Sequence, residues 1–189
     1  MIKAIIFDVG GVITKTDWKQ LYTNFANYLN ISPDIVINFH KDYLNQILLG
    51  EMSFRDFIEK VKPSAYKNQL SLDNLKKVWI KEALKLLDLN TPLLKMIDDL
   101  RGFYILLILT NLTESRILVD EKLGLYLHFD YTILSYKEKL KKPDEKFYQL
   151  AISRAGCKSE EAVFIDDKEE CVLAANKLGI KGIIFKDND

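Results

Sequence analysis

The chain is poor in the residues from which metal, disulfide and histidine-based sites are built. It has two cysteines in 189 residues, Cys157 and Cys171. They are too few and too far apart for a zinc site, and burial in a reduced cytoplasm is the expectation they support. Its two histidines, His40 and His128, are also far apart. Both read as ordinary surface or half-buried residues, which argues against a histidine-based hydrolase. No stretch approaches the roughly 20 apolar residues that span a bilayer. The N-terminal apolar run is short and stops at Asp8, so it does not read as a signal peptide. With 27 basic and 27 acidic residues the formal net charge is zero, and nothing points to a nucleic-acid or membrane partner. The one basic cluster, Lys137, Lys139, Lys141 and Lys142, is diluted by Glu138, Asp144 and Glu145, and reads as a solvated loop with one working lysine. Repeats and low-complexity linkers are absent. A cytoplasmic protein is expected.

What the chain does have is apolar strands that stop at polar residues. Hydrophobic residues make up 48% of it, enough for a packed core, and its length suits one core or one core plus a small insertion. Ile5-Ile6-Phe7 runs into Asp8-Val9-Gly10-Gly11-Val12. So apolar a run reads as a buried strand of a parallel sheet. A buried carboxylate is costly without compensation, which places Asp8 at the strand's C-terminal end, facing a cleft, where open α/β sheets bind ligands. The plain alternative is a turn or helix-cap aspartate. Further on, Ile105–Leu109 ends at Thr110-Asn111, and Ala162–Ile165 ends at Asp166-Asp167. Between them Lys142-Pro143 opens a helical stretch. Each has its own plain reading. Thr110 or Asn111 caps the next helix, Asp167 with Glu169 and Glu170 makes an acidic first turn, and Lys142 is a loop lysine. Together they form a hydroxyl, an amide, a lysine and three carboxylates at strand ends or nearby loops, a set suited to magnesium and a phosphoryl group.

Between the first two strands, from about Thr16 to Asp88, no run looks like a strand. Four amphipathic helices are expected. Their faces are Leu21, Phe25 and Tyr28; Val36, Phe39, Tyr43 and Ile47; Phe54, Phe57, Ile58 and Val61; and Leu72, Leu75, Trp79 and Leu86. Ser32-Pro33, Ser53 and Ser71 are their start signals, and Gly50 and Pro63-Ser64 their stops. The aromatic residues read as bundle core rather than a cofactor box. Helices and strands then alternate to the end: helices from Thr91-Pro92, after Thr113, after Pro143 and through Leu178, with strands at Tyr104–Leu109, Tyr131–Leu134, Ala162–Ile165 and Gly182–Phe185. The fold class is therefore α/β, a doubly wound parallel sheet with right-handed crossovers and one large helical insertion. Residues 1–15 and 89–189 form the core, and 16–88 the insertion over the cleft.

The order FDVGGV, TN, KP and FIDD resembles the haloacid dehalogenase superfamily, most of whose members are phosphatases. The stretch Cys171–Ile180 is similar to the helix and glycine turn after the fourth motif of that family. Among its subgroups the chain looks most like the glucose-1-phosphate phosphatase-like and epoxide-hydrolase phosphatase-domain-like proteins. The resemblance implies a Rossmann-like core and makes the insertion a type-1 cap that shapes substrate choice and water access. It makes Asp8 the nucleophile, forming an aspartyl-phosphate. Magnesium (Mg2+) ligands would be Asp8, the backbone carbonyl of Gly10, and Asp166 or Asp167. Thr110 and Asn111, with neighbouring backbone N–H groups, would bind phosphate oxygens, and Lys142 would balance charge on phosphate and Asp8.

One position departs from the pattern. Most phosphatases of this superfamily carry a second aspartate two residues after the nucleophile, as general acid and base, and here that residue is Gly10. Its loss removes a contribution of roughly 10²–10⁴ in rate, so a slow enzyme is expected unless another group substitutes. Asp17 is a candidate substitute, although the stronger reading is that it caps the first helix of the insertion. Three functions compete. The favoured one is a magnesium-dependent phosphatase of a small phosphorylated metabolite, with a sugar phosphate as one candidate. The second is a 2-haloacid dehalogenase, disfavoured because two adjacent carboxylates repel in a cleft without a cation. The third is a non-catalytic phosphate-binding or regulatory protein. A monomer and a homodimer fit the sequence equally.

Overall fold

A computed structural model describes residues 1–62 and 71–188. Its centre is a five-stranded parallel sheet: β1 (Ala4–Phe7), β4 (Ile105–Thr110), β5 (Tyr131–Leu134), β6 (Ala162–Asp166) and β7 (Lys181–Ile184). The strand order is β5-β4-β1-β6-β7. The strands are apolar without alternation because both faces are covered. Ala4, Ile6, Leu107, Leu109 and Phe164 pack beneath α8 (Glu145–Ala155) and α9 (Glu169–Lys177). Phe7, Leu106, Ile108 and Ile165 face α5 (Thr91–Leu100) and α6 (Glu114–Lys122). Burial on both faces is what a parallel sheet requires.

The register decides where polar groups gather. Phe7 lies opposite Ile108 on one side and Ile165 on the other. The residues that follow therefore emerge at one level along the sheet edge: Asp8 after β1, Thr110 at the end of β4, Asp166 at the end of β6. The chain leaves β1 for β4 and β5 on one side and then crosses to β6 and β7 on the other. The crevice at such a reversal is where open α/β sheets hold ligands.

The insertion comprises α1 (Trp18–Tyr28), α2 (Pro33–Leu48), α3 (Phe54–Val61) and α4 (Leu72–Leu86). They close on a core of their own, including Leu21, Phe25, Val36, Phe57, Ile58, Leu75 and Trp79. Ser53 and Asp56 form a capping box at the start of α3, and Ser71 caps α4. Tyr28 was expected on the inner face of α1 but is exposed, and Tyr22 and Leu29 are buried instead. The stop expected at Pro63-Ser64 lies outside the described residues. A second difference is at the borders. Thr14–Thr16 (β2) and Leu87–Leu89 (β3) pair antiparallel, a two-stranded ribbon that carries the chain into and out of the insertion. Three-residue strands are too short to show an alternating pattern, which is why the sequence reads as strand-free there. A single helical turn, α7 (Ser135–Glu138), likewise follows β5 where only loop was expected.

Candidate active site

Asp8 is buried at the end of β1, where Lys142 Nζ lies 2.8 Å from its Oδ1. The same ammonium donates to Asp166 Oδ2 at 2.5 Å, and the backbone N–H of Lys168 donates to Asp166 Oδ1 at 2.8 Å. Oδ1 of Asp8 is buried and makes no well-aligned hydrogen bond among the described residues. Asp167 stands beside this pair, exposed, and one carboxylate oxygen from each of Asp8, Asp166 and Asp167 lies within 4.8 Å of the others. Three carboxylates against one ammonium leave the cluster with excess negative charge.

Burial and the neighbouring charges together set the titration of Lys142 and Asp166. Burial alone would lower the Lys142 pKa, but Asp8 and Asp166 outweigh it and hold the ammonium above its ordinary value. Burial, reinforced by Asp8 and opposed by Lys142, pushes the Asp166 carboxyl up. The donor set fits a hard divalent cation: all oxygen ligands, an oxygen of Asp8 without an aligned donor, and surplus charge to neutralise.

Two glycines follow Asp8, and the structure separates them. Gly11 has φ +84°, and a Cβ there would lie 2.1 Å from Asp167 Oδ2. It is glycine so that Asp167 can approach the loop. Gly10 is not in the left-handed region, and a Cβ there would meet nothing within 4 Å. Its carbonyl belongs to the loop over the site, but neither sterics nor backbone conformation demands glycine at that position.

The other expected site residues take different places. Thr110, buried at the end of β4, has no hydrogen-bond partner for its hydroxyl among the described residues and lines the cavity over Asp8. The side chain of Asn111, expected among the phosphate ligands, is already committed. Its Oδ1 accepts from the Lys142 N–H at 2.8 Å and its Nδ2 donates to the Lys142 carbonyl at 2.9 Å. An amide matches a peptide group edge to edge, so Asn111 positions Lys142 and leaves only its backbone N–H for a ligand. Asp17 is exposed, accepts from the Gln20 N–H at 2.9 Å as the cap of α1, and is not among the cavity-lining residues.

A cavity of about 610 Å³ lies between this floor and the insertion. The insertion supplies Trp18, Tyr22, His40, Leu44, Leu48 and Trp79 to its wall. His40, read from sequence as an ordinary residue, is half-buried there, and burial lowers its pKa to about 4. Arg116 also lines the cavity. It pairs with the fully buried Asp120 at 2.6 Å, and donates to Thr14 Oγ1 at 2.6 Å and Thr16 Oγ1 at 3.0 Å. Tyr126 donates to the other Asp120 oxygen at 3.0 Å. No sequence signal marked this network, apart from an Arg and an Asp four residues apart on a helix.

The model of the haloacid dehalogenase-like hydrolase family matches residues 2–179. A phosphorylated carbohydrates phosphatase of Thermotoga maritima is 26% identical over all of this chain and 88% of its own length. A sesquiterpene phosphatase of Aspergillus oryzae is 35% identical over 60 residues, 32% of this chain and 31% of that protein. A haloacid dehalogenase family enzyme of Bacteroides thetaiotaomicron, solved with magnesium and inorganic phosphate, is 23% identical. The match covers 100% of this chain and 96% of that one, with a TM-score of 0.78.

Proposed function

The chain belongs to the haloacid dehalogenase-like hydrolases, and from that premise we propose that it is a magnesium-dependent phosphatase of a small phosphorylated metabolite, with Asp8 as nucleophile. The observation that carries this reading is the cluster of Asp8, Asp166 and Asp167, the first two paired with the Lys142 ammonium. Relatives named as phosphatases, and a fold relative that holds magnesium and phosphate, support it. A dehalogenase would have no use for the third carboxylate, which adds repulsion unless a cation offsets it.

Asp8, the Gly10 carbonyl, and Asp166 or Asp167 would hold the ion. When bound, it neutralises phosphoryl oxygens and lets a carboxylate approach a phosphate dianion. Lys142 contributes a second positive charge fixed by two carboxylates and, through its backbone, by Asn111. The Thr110 hydroxyl and the backbone N–H groups beyond it would donate to phosphate oxygens. Attack by Asp8 forms the phosphorus–oxygen bond of an aspartyl-phosphate as the bond to the leaving alcohol breaks. Water then cleaves that intermediate and restores the carboxylate. Gly10 offers no group to protonate the alcohol or to deprotonate the water, so both steps run without side-chain acid–base help and turnover is slow. The helical insertion acts as the cap over this site.

The test is phosphate release from an aryl phosphate, with and without magnesium, by wild type and by Asp8→Asn. Release only with magnesium, lost in Asp8→Asn while the melting temperature is kept, is the expected result. Activity near wild type in the variant would remove Asp8 from the mechanism. Chloride release from a 2-haloacid without metal would replace the phosphatase reading with the dehalogenase one.

A further inference from the structure

Although Lys15 of β2 also lines the cavity, the wall that the helices of the insertion turn toward Asp8 carries no charged side chain among the described residues. It consists of Trp18, Tyr22, His40, Leu44, Leu48 and Trp79. Four of these bring a polar atom, the Trp18 and Trp79 indoles, the Tyr22 hydroxyl and the His40 ring, and each is short of partners. The Trp79 indole N–H is buried with none among the described residues. Neither the Tyr22 hydroxyl nor the His40 ring makes a hydrogen bond among those residues; their neighbours are rings, 4.8 Å apart between the two and 5.8 Å from Tyr22 to Trp79. His40 is neutral above pH 5, because burial holds its pKa near 4.

Below this wall several polar side chains are already committed to one another, while Lys15, Lys168, Asp167 and the Thr110 hydroxyl also line the cavity. Arg116 is held by Asp120, Thr14 and Thr16. The hydroxyls of Thr113 and Ser115 share a bond at 3.0 Å. The Asn111 amide is held by the Lys142 peptide. A sugar would bring several hydroxyls into this space, each needing a partner once stripped of water. An apolar group meets aromatic and leucine side chains and gains by leaving water. A pocket of this size and lining, mostly apolar with a few convergent polar atoms, is the usual form of a small-molecule site.

Resting on the phosphatase reading above, we propose that the substrate is the phosphate monoester of an uncharged, mainly apolar alcohol, an alkyl, prenyl or aryl group with at most one or two polar atoms, rather than a sugar phosphate. The apolar part lies against Trp79, Tyr22 and the two leucines. The Trp79 N–H, without a partner among the described residues, supplies a directional contact to an acceptor oxygen on the alcohol part.

Binding is the test, since it does not depend on a slow turnover. With magnesium present, inorganic phosphate, methylphosphonate, hexylphosphonate and glucose 6-phosphate are titrated by calorimetry and by tryptophan fluorescence. Both tryptophans of the chain line the cavity, so occupancy of the apolar part changes the emission. Hexylphosphonate is expected to bind at least tenfold tighter than methylphosphonate and tighter than glucose 6-phosphate, and to shift the emission where inorganic phosphate does not. In Leu44→Asp, at a position 38% exposed and able to carry a charge, the hexyl-to-methyl ratio is expected to fall toward one. Equal affinity for the two phosphonates, or tighter binding of glucose 6-phosphate, would overturn the apolar-substrate proposal and leave the phosphatase reading standing. Failure of inorganic phosphate and every phosphonate to bind would overturn that reading itself, and this one with it.

Discussion

Gly10 and Gly11 look alike in the sequence but behave differently in space. Gly11 keeps clear of Asp167 through a left-handed backbone that a side chain would strain. Gly11→Ala is therefore expected to cost about 1–3 kcal/mol in urea unfolding, and to raise the magnesium concentration needed to stabilise the fold against heat. At Gly10 there is room and no strain. Gly10→Asp is expected to leave stability within about 0.5 kcal/mol of wild type and to raise hydrolysis of simple alkyl phosphates by about 10²-fold. Quench-flow with a labelled acyl phosphate provides the direct check. Wild type should accumulate phosphoenzyme, because such leaving groups need no proton, and the variant should discharge it faster. If wild type shows no burst and turns over alkyl phosphates briskly, another residue supplies the acid. Asp17, held as a helix cap, could do so only if that cap opened.

At the scale of elements, α6 helps fasten the ribbon of β2 and β3 to the core. Arg116 on α6 reaches Thr14 and Thr16 on β2, its guanidinium lies 5.5 Å from the centre of the Trp18 ring at the start of α1, and Asp120 balances its charge. Burial pushes the Asp120 carboxyl pKa up, and Arg116 and Tyr126 oppose that shift. Removing one partner leaves the other buried and uncompensated. Arg116→Met is therefore expected to cost about 3–5 kcal/mol, and the double variant Arg116→Met with Asp120→Leu to recover most of it. A double-mutant cycle in urea measures the coupling, and an additive result would show that the pair is not the fastening. The helical elements were readable because their apolar spacing and serine caps are local, as α3 and α4 show. The ribbon was not, because TKT and LDL acquire strand character only by pairing across 70 or more intervening residues.

For the molecule as a whole, His40 links stability to pH. Its pKa is about 4 when folded and near 6.5 when unfolded, so between these values the unfolded chain binds the extra proton. Its contribution is complete above pH 6.5 and is lost as pH falls toward 4, a destabilisation of about 2–3 kcal/mol. Urea titrations across that range should show the slope in wild type and a flatter one in His40→Gln. An unchanged slope in the variant would mean that another group titrates there. Among the described residues no helix is long and apolar enough to cross a membrane.

The sequence by itself determined the parallel sheet, the helical insertion after the first strand, and the placing of Asp8, Thr110 and Asp166 at strand ends. Those features follow from runs of apolar residues and the points where they stop, which any short window of the chain records. Only the tertiary structure decided that Asn111 serves Lys142, that Gly11 rather than Gly10 must be glycine, that Arg116 ties down the ribbon, and that His40 and Trp79 face the cavity as well as the bundle core. Each depends on a partner brought from a distant part of the chain: Lys142 for Asn111, Asp167 for Gly11, Thr14 for Arg116. Periodicity reports which face of an element is apolar. Which of those apolar or polar groups meets another is set by how the elements pack, and a single chain read in order does not contain that distance.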